Sequence, residues 1–167
     1  MPTHPWSQWY PRLVRRVGGL RWVAWLGPRL LTPVDRQLYR WLKGRLISAG
    51  PPILPLLLLT TMGTHSGKAR SVPVLYLEDG ERLIVAGGNW GAPLHPSWSN
   101  NLLKRPQARV QIRDQVTDVQ ARLTTGEERA RLWPRLLEIW PAYQDYTERS
   151  GRELRVFVLT PRSPLRD

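Results

Sequence analysis

The sequence predicts an α+β fold whose sheet is mostly antiparallel and barrel-like, with about six strands. Three observations carry this. Short runs rich in Val, Ile, Leu and Tyr recur beyond residue 55, and tight turn clusters such as Glu78-Asp79-Gly80-Glu81 and Arg113-Asp114-Gln115 separate them at hairpin spacing. One main helical pattern interrupts the series, just before the last run. A chain of 167 residues is long enough for one domain with its own core.

The first fifty residues differ from the rest. Pro11–Leu26 places Leu13, Val17, Leu20 and Ala24 at helical spacing, with Gly18-Gly19 weakening its middle. Pro33–Ile47 starts on Thr32 as N-cap and repeats the pattern with Leu38, Trp41 and Leu42 beside Arg45. Nine Arg/Lys face one acid in residues 1–50, so most of the +12 net charge lies there. Basic, Trp-rich amphipathic helices suit the surface of an anionic membrane, and they equally suit packing on the domain with solvated arginines. Gly50-Pro51-Pro52 is the strongest punctuation in the chain and divides a basic helical arm (1–50) from a body (51–167).

Within the body, Leu57–Leu77 reads as strand, polar loop, strand. The loop holds Gly63, Thr64, His65, Ser66, Gly67, Lys68 and Arg70 within eight positions. Such a loop offers hydroxyls, backbone N–H groups and cations to one anion, most naturally a phosphate, although Gly-Ser-Lys turns are common as plain hairpins. It is not a P-loop, because Ala69 stands where Ser or Thr should follow the lysine. Arg82–Ala86 is the third strand, followed by a second glycine-rich loop, Gly87-Gly88-Asn89-Trp90-Gly91-Ala92-Pro93. Pro96–Lys104 forms a short helix closed by Pro106, and Ala108–Ile112 and Val116–Leu123 are the next two strands. Glu127–Trp140 is the main helix, capped by Thr124 or Thr125 with acids in its first turn, and Pro134 is expected to disturb its start. Tyr143 and Tyr146 lie three apart on one face of a turn, and Leu154–Leu159 is the last strand.

Several functions are disfavoured. The chain has no cysteine, hence no disulfide, thiolate metal site or cysteine nucleophile, which fits a reducing compartment. Three scattered histidines (His4, His65, His95) argue against a zinc centre. No stretch approaches the roughly 18 apolar residues of a membrane span, and the N-terminus lacks the apolar core of a secretory signal. The expected location is therefore cytoplasmic, peripheral on the inner face of the membrane. Nucleic acid is disfavoured because the arm's tryptophans sit on amphipathic helices, not at alternating strand positions where they could stack on bases.

Four segments in order resemble the deazaflavin-dependent nitroreductase family, which binds coenzyme F420 on a split β-barrel of the FMN-binding and pyridoxamine-phosphate-oxidase type. They are TTMGTHSGKARSVPVLYL (60–77), GGNWGAPLHPSW with Asn101-Leu102 (87–102), GEERARLWPRLLEIWPAYQDY (126–146) and RELRVFVLTP (152–161). The resemblance implies an oxidoreductase that moves a hydride from reduced F420 to an electron-poor acceptor such as a quinone or nitroaromatic. It implies that Lys68 and Arg70, with Thr64, His65 and Ser66, hold the anionic phosphate and glutamate tail. Gly87, Gly88 and Gly91 would let backbone approach the ring, Asn89, Trp90 and Ala92 would be cofactor-binding positions beside them, and Trp98 and Asn101 match family positions on the short helix. Core filling is the competing role for the Trp98 ring. Tyr143 and Tyr146 match tyrosines that shape the substrate pocket, where either could protonate or hydrogen-bond the acceptor. The chain departs from the family in having Thr64-His65 for Arg-Lys, Gly88 for a serine, and Ser99 for a tyrosine, the last implying a more open pocket. The alternatives are an FMN-binding reductase on the same barrel, or a non-enzymatic basic protein that binds membrane or nucleic acid.

Overall fold

The computed structural model describes residues 54–162. The two arm helices and the membrane contact expected of residues 1–50 lie outside the described residues.

Six strands form a closed barrel: β1 (Leu56–Met62), β2 (Ala69–Asp79), β3 (Arg82–Ala86), β4 (Gln107–Ile112), β5 (Gln115–Leu123) and β6 (Val156–Pro161). Their order around the barrel is β1-β2-β3-β6-β5-β4, and every neighbouring pair is antiparallel. Closure leaves no free sheet edge, which answers the hazard of unpaired strands. Helix α1 (Ser97–Lys104) follows β3, and α2 (Gly126–Ile139) and α3 (Ala142–Ser150) lie between β5 and β6.

Strand alternation sorts the apolar residues into two cores. Leu57, Leu59, Val74, Tyr76, Val85, Phe157 and Leu159 point into the barrel, where Trp98 and Leu102 of α1 join them. Ile84, Val156 and Val158 point outward and are covered by Leu132, Leu136 and Trp140 together with Tyr143 and Tyr146 of α3. Strand β6 is buried on both faces, which is why it reads as the unbroken run VFVL.

Two expectations are corrected. The tyrosine segment is a second helix, α3, and not a turn after one main helix. Its sequence AYQDYTERS carries almost no apolar stripe. It is finished instead by Gly151 in the left-handed conformation (φ 62°), as a helix C-terminus favours. Helix α2 begins at Gly126 and runs through Pro134, and Thr125 makes no side-chain cap. The Thr124 hydroxyl is buried and donates to the carbonyl of Val156 (3.0 Å), tying the helix start to β6.

Antiparallel order brings distant loops to one end of the barrel. The β1–β2 loop, the β3–α1 loop, α1 itself and the α3–β6 connection all meet there. The β2–β3 and β4–β5 turns, with Glu78, Asp79, Glu81 and Asp114, close the opposite end. No Asp or Glu occurs between Leu56 and Leu77 or between Arg82 and Arg113.

Candidate functional site

The β1–β2 loop is closed largely on itself. Gly63 N–H donates to Lys68 O (2.9 Å), Gly67 N–H to Gly63 O (2.8 Å) and Lys68 N–H to Ser66 Oγ (3.3 Å). Gly67 takes φ 64°, a turn position that suits glycine. Asn101 on α1 fastens the loop from below. Its buried amide donates to Thr61 Oγ1 (3.0 Å), and its Oδ1 accepts from Thr64 N–H (3.2 Å). Most of the N–H groups expected to cradle an anion are thus engaged within the protein. The side chains remain: His65, Ser66, Lys68 and Arg70 are exposed, and neither Lys68 nor Arg70 has an ion pair among the described residues.

The β3–α1 loop holds a left-handed turn. Asn89, Trp90 and Gly91 have φ of 48°, 57° and 74°. Asn tolerates this region, whereas an L-residue such as Trp is disfavoured there by about 1–2 kcal/mol. The Asn89 side chain donates to Leu94 O (2.8 Å); from the end of α3 onward two arginines grip the rest of the loop and a third holds the start of α1. Arg149 donates to Trp90 O (3.3 Å), and Arg155 donates to Asn100 Oδ1 (2.6 Å) and to Ser99 Oγ (3.3 Å). Arg152 donates to the carbonyls of Gly87 (3.2 Å), Gly88 (3.0 Å) and Ala92 (3.1 Å) and lies 3.0 Å from His95 Nδ1. Burial, Arg155 and Arg152 all hold the His95 pKa below its ordinary value, so Nδ1 is the acceptor of that contact.

Helix α3 closes against this loop at Gly88. A Cβ there would lie 3.0 Å from a ring carbon of Tyr146 and 3.1 Å from one of Tyr143. At Gly91 a Cβ would come within 3.2 Å of the Tyr146 backbone. On the side where a Cβ would stand, these two glycines meet the α3 tyrosines. Tyr143 and Tyr146 are buried and pack edge to face, with centroids 6.2 Å apart. Burial pushes the Tyr143 phenol well above its ordinary range and that of Tyr146 up to about 12, so both are neutral hydroxyls. Tyr146 Oη accepts from Trp140 Nε1 (3.4 Å). The Tyr143 hydroxyl has no hydrogen bond among the described residues.

Two sequence-predicted contacts take structural roles. Trp98 is buried in the barrel, its ring tilted against Phe157 with centroids 5.8 Å apart, because α1 must plug the barrel end with a large side chain. The Asn101 amide is taken up between Thr61 and Thr64. Ser99 is fully buried, donates to Pro96 O (3.0 Å) and accepts from Arg155 (3.3 Å). The arginines at 149, 152 and 155 and His95 were not singled out from sequence. Among 25 cations their spacing carried no signal, because their partners are mostly backbone carbonyls some sixty residues earlier.

A family model described as F420H(2)-dependent quinone reductase matches residues 34–161. The chain belongs to that family. It is 33% identical over 109 residues to a Mycobacterium tuberculosis protein provisionally named F420H(2)-dependent quinone reductase Rv3178, covering 65% of this chain and 92% of the relative. Two solved structures superpose at TM-score 0.58. One is titled as the F420-H2 dependent reductase FDR-A (37% identical, 63% of this chain and 93% of that one), the other as a domain-swapped dimer (34% identical, 75% and 96%). HutZ of Vibrio cholerae, at 14% identity and TM-score 0.50, shares the fold alone. The F420H(2)-dependent quinone reductases are oxidoreductases, and the fold of this member is the expected split barrel. The donor set fits coenzyme F420: exposed Lys68 and Arg70, without ion pairs among the described residues, suit an anionic tail, at the barrel end that also carries the strained loop and buried phenols. Among the described residues no cluster of His, Asp or Glu could hold a metal, and no helix is long and apolar enough to cross a membrane.

Proposed function

We propose that Lys68 and Arg70, with Thr64, His65 and Ser66, hold the anionic part of F420, and that Asn89–Ala92 presents the surface on which its ring lies. Reduced F420 supplies the hydride. The chain's own residues orient the acceptor, exclude water and offer a proton. Tyr146, a neutral hydroxyl whose ring packs against Gly88 of the glycine loop, serves that last role. Tyr143 adds a second neutral hydroxyl with no partner among the described residues. Two neutral donors suit a quinone carbonyl, whose oxygen gains negative charge as hydride arrives. Residues 1–50 form a separate basic arm that holds the enzyme at an anionic membrane on the cytoplasmic side, where a lipid-soluble quinone is met.

The observation that supports this reading best is the pair Lys68 and Arg70, exposed cations without ion pairs among the described residues, at the barrel end with the tyrosines. Titration of the protein with oxidised F420, followed by quenching of Trp90, tests it. Lys68→Glu and Arg70→Glu should each weaken binding by about tenfold or more, since reversing a charge beside an anion is worth at least about 1.4 kcal/mol. The loss should shrink at high salt. Unchanged affinity in both variants would refute the assignment.

A further inference from the structure

The left-handed turn at Asn89–Gly91 needs an external brace, because residues in that region persist only where their surroundings over-determine them. Much of the brace is one side chain. Arg152 projects from the connection between α3 and β6, and its planar fork meets three carbonyls of this loop and one histidine nitrogen, at 3.0–3.2 Å. Those carbonyls, of Gly87, Gly88 and Ala92, flank the turn on both sides, so the guanidinium fixes where the turn begins and ends. A lysine could not replace it, since an ammonium presents three donors around a point and no fork.

We propose that Arg152 is a positioning residue for the reaction, holding the Asn89–Gly91 turn in its left-handed form, and that unprotonated His95 completes the latch, so that a proton on His95 releases the turn. The contact between Arg152 and His95 requires a lone pair on Nδ1; with a proton there, two N–H groups face each other 3.0 Å apart. Arg152 and Arg155 are the charged groups that face the imidazole, and no carboxylate among the described residues offsets them. The lowered pKa of His95 keeps the latch closed at neutral pH. Because the folded value lies below the ordinary 6.5, the closed form is fully present above 6.5 and is lost as pH falls through the depressed value.

The link to catalysis rests on the proposed placement of the F420 ring on Asn89–Ala92, whereas the latch itself does not. Amide hydrogen exchange of the full-length protein without cofactor therefore comes first. In the wild type, exchange at residues 88–92 should rise as pH falls through the His95 transition, after correction for intrinsic rates, with the transition read independently from the imidazole proton resonances. Arg152→Lys should raise exchange there by about tenfold at neutral pH, equivalent to about 1.4 kcal/mol of local opening. His95→Asn, whose side-chain oxygen accepts but does not titrate, should keep slow exchange and abolish the pH dependence. Wild-type protection in Arg152→Lys, or pH-independent exchange in the wild type, would overturn the latch. F420 titration of the same variants then addresses positioning: about tenfold weaker binding in Arg152→Lys with kcat at saturating cofactor retained supports it. A loosened loop with unchanged F420 affinity would leave the latch standing and overturn the ring placement.

Discussion

At the scale of single residues, the site is built from side chains whose chemistry depends on what they lack. The Tyr143 hydroxyl is buried and without a hydrogen bond among the described residues, an arrangement that costs folding free energy. Tyr143→Phe should therefore leave stability unchanged or raise it by up to about 1 kcal/mol in denaturant melts, while lowering kcat/KM for a quinone. A loss of stability together with full activity would assign the hydroxyl to packing. Gly88 lacks the Cβ that would press on both tyrosine rings. Gly88→Ser should cost about 1–3 kcal/mol through overpacking and push α3 away from the loop, as a thermal melt and the ring-proton resonances of Tyr146 would report. The sequence singled out both tyrosines and Gly88, yet it could not show that they touch. That contact depends on α3 being a helix, and nine mostly polar residues give no periodic signal for one.

At the scale of elements, two connections decide whether the loops sit correctly. Asn101 links α1 to the β1–β2 loop through Thr61 and Thr64. Asn101→Ala should cost about 1–3 kcal/mol, the range for leaving buried partners unmet, and should increase proteolysis at 63–68 before global unfolding. At the other end of the barrel, Arg135 of α2 donates to Asp79 Oδ1 (2.7 Å) and to Glu78 O (3.0 Å). The hydrogen bond from Arg135, with further help from Arg82, holds the Asp79 carboxyl below its usual range. Stability from this pair is present above the ordinary Asp pKa and is lost as pH falls through the depressed value. Thermal melts between about pH 6 and pH 2 should show a shallower decline for Asp79→Asn than for the wild type. The strands were legible in sequence because alternation and turn residues encode them locally. The division into inner and outer cores was legible only in part, since β6 is apolar on both faces and its alternation is hidden.

At the scale of the whole molecule, the β2–β3 and β4–β5 turns at one end of the barrel carry Glu78, Asp79, Glu81 and Asp114, while the β1–β2 and β3–α1 loops at the opposite end hold no carboxylate and present Lys68 and Arg70. This polarity was readable from the sequence once the strand order was known. The arginines that brace the glycine loop were not, because closure of the barrel brings them there. The family match reaches back to residue 34, past the Gly50-Pro51-Pro52 boundary. Two truncations, starting at residues 34 and 51, therefore separate a basic anchor from a part of the fold. If the arm is only an anchor, both should keep F420 affinity, binding to vesicles of anionic lipid falling in the form that starts at 34 and vanishing in the form that starts at 51. A fall in F420 affinity only for the shorter form would place residues 34–50 in the working domain.

The closure of the barrel also sets a schedule for synthesis. Strand β6 pairs with β3 and β5, and the chain just before it carries Arg149, Arg152 and Arg155. A nascent chain that has released β1 through β5 from the ribosome thus has its β1–β2 loop but not the brace for its glycine loop, and its apolar β3 and β5 edges remain open. Cofactor competence should appear abruptly, when residues up to about 161 have cleared the exit tunnel. Chains stalled short of that length should be captured by chaperones and should not bind F420.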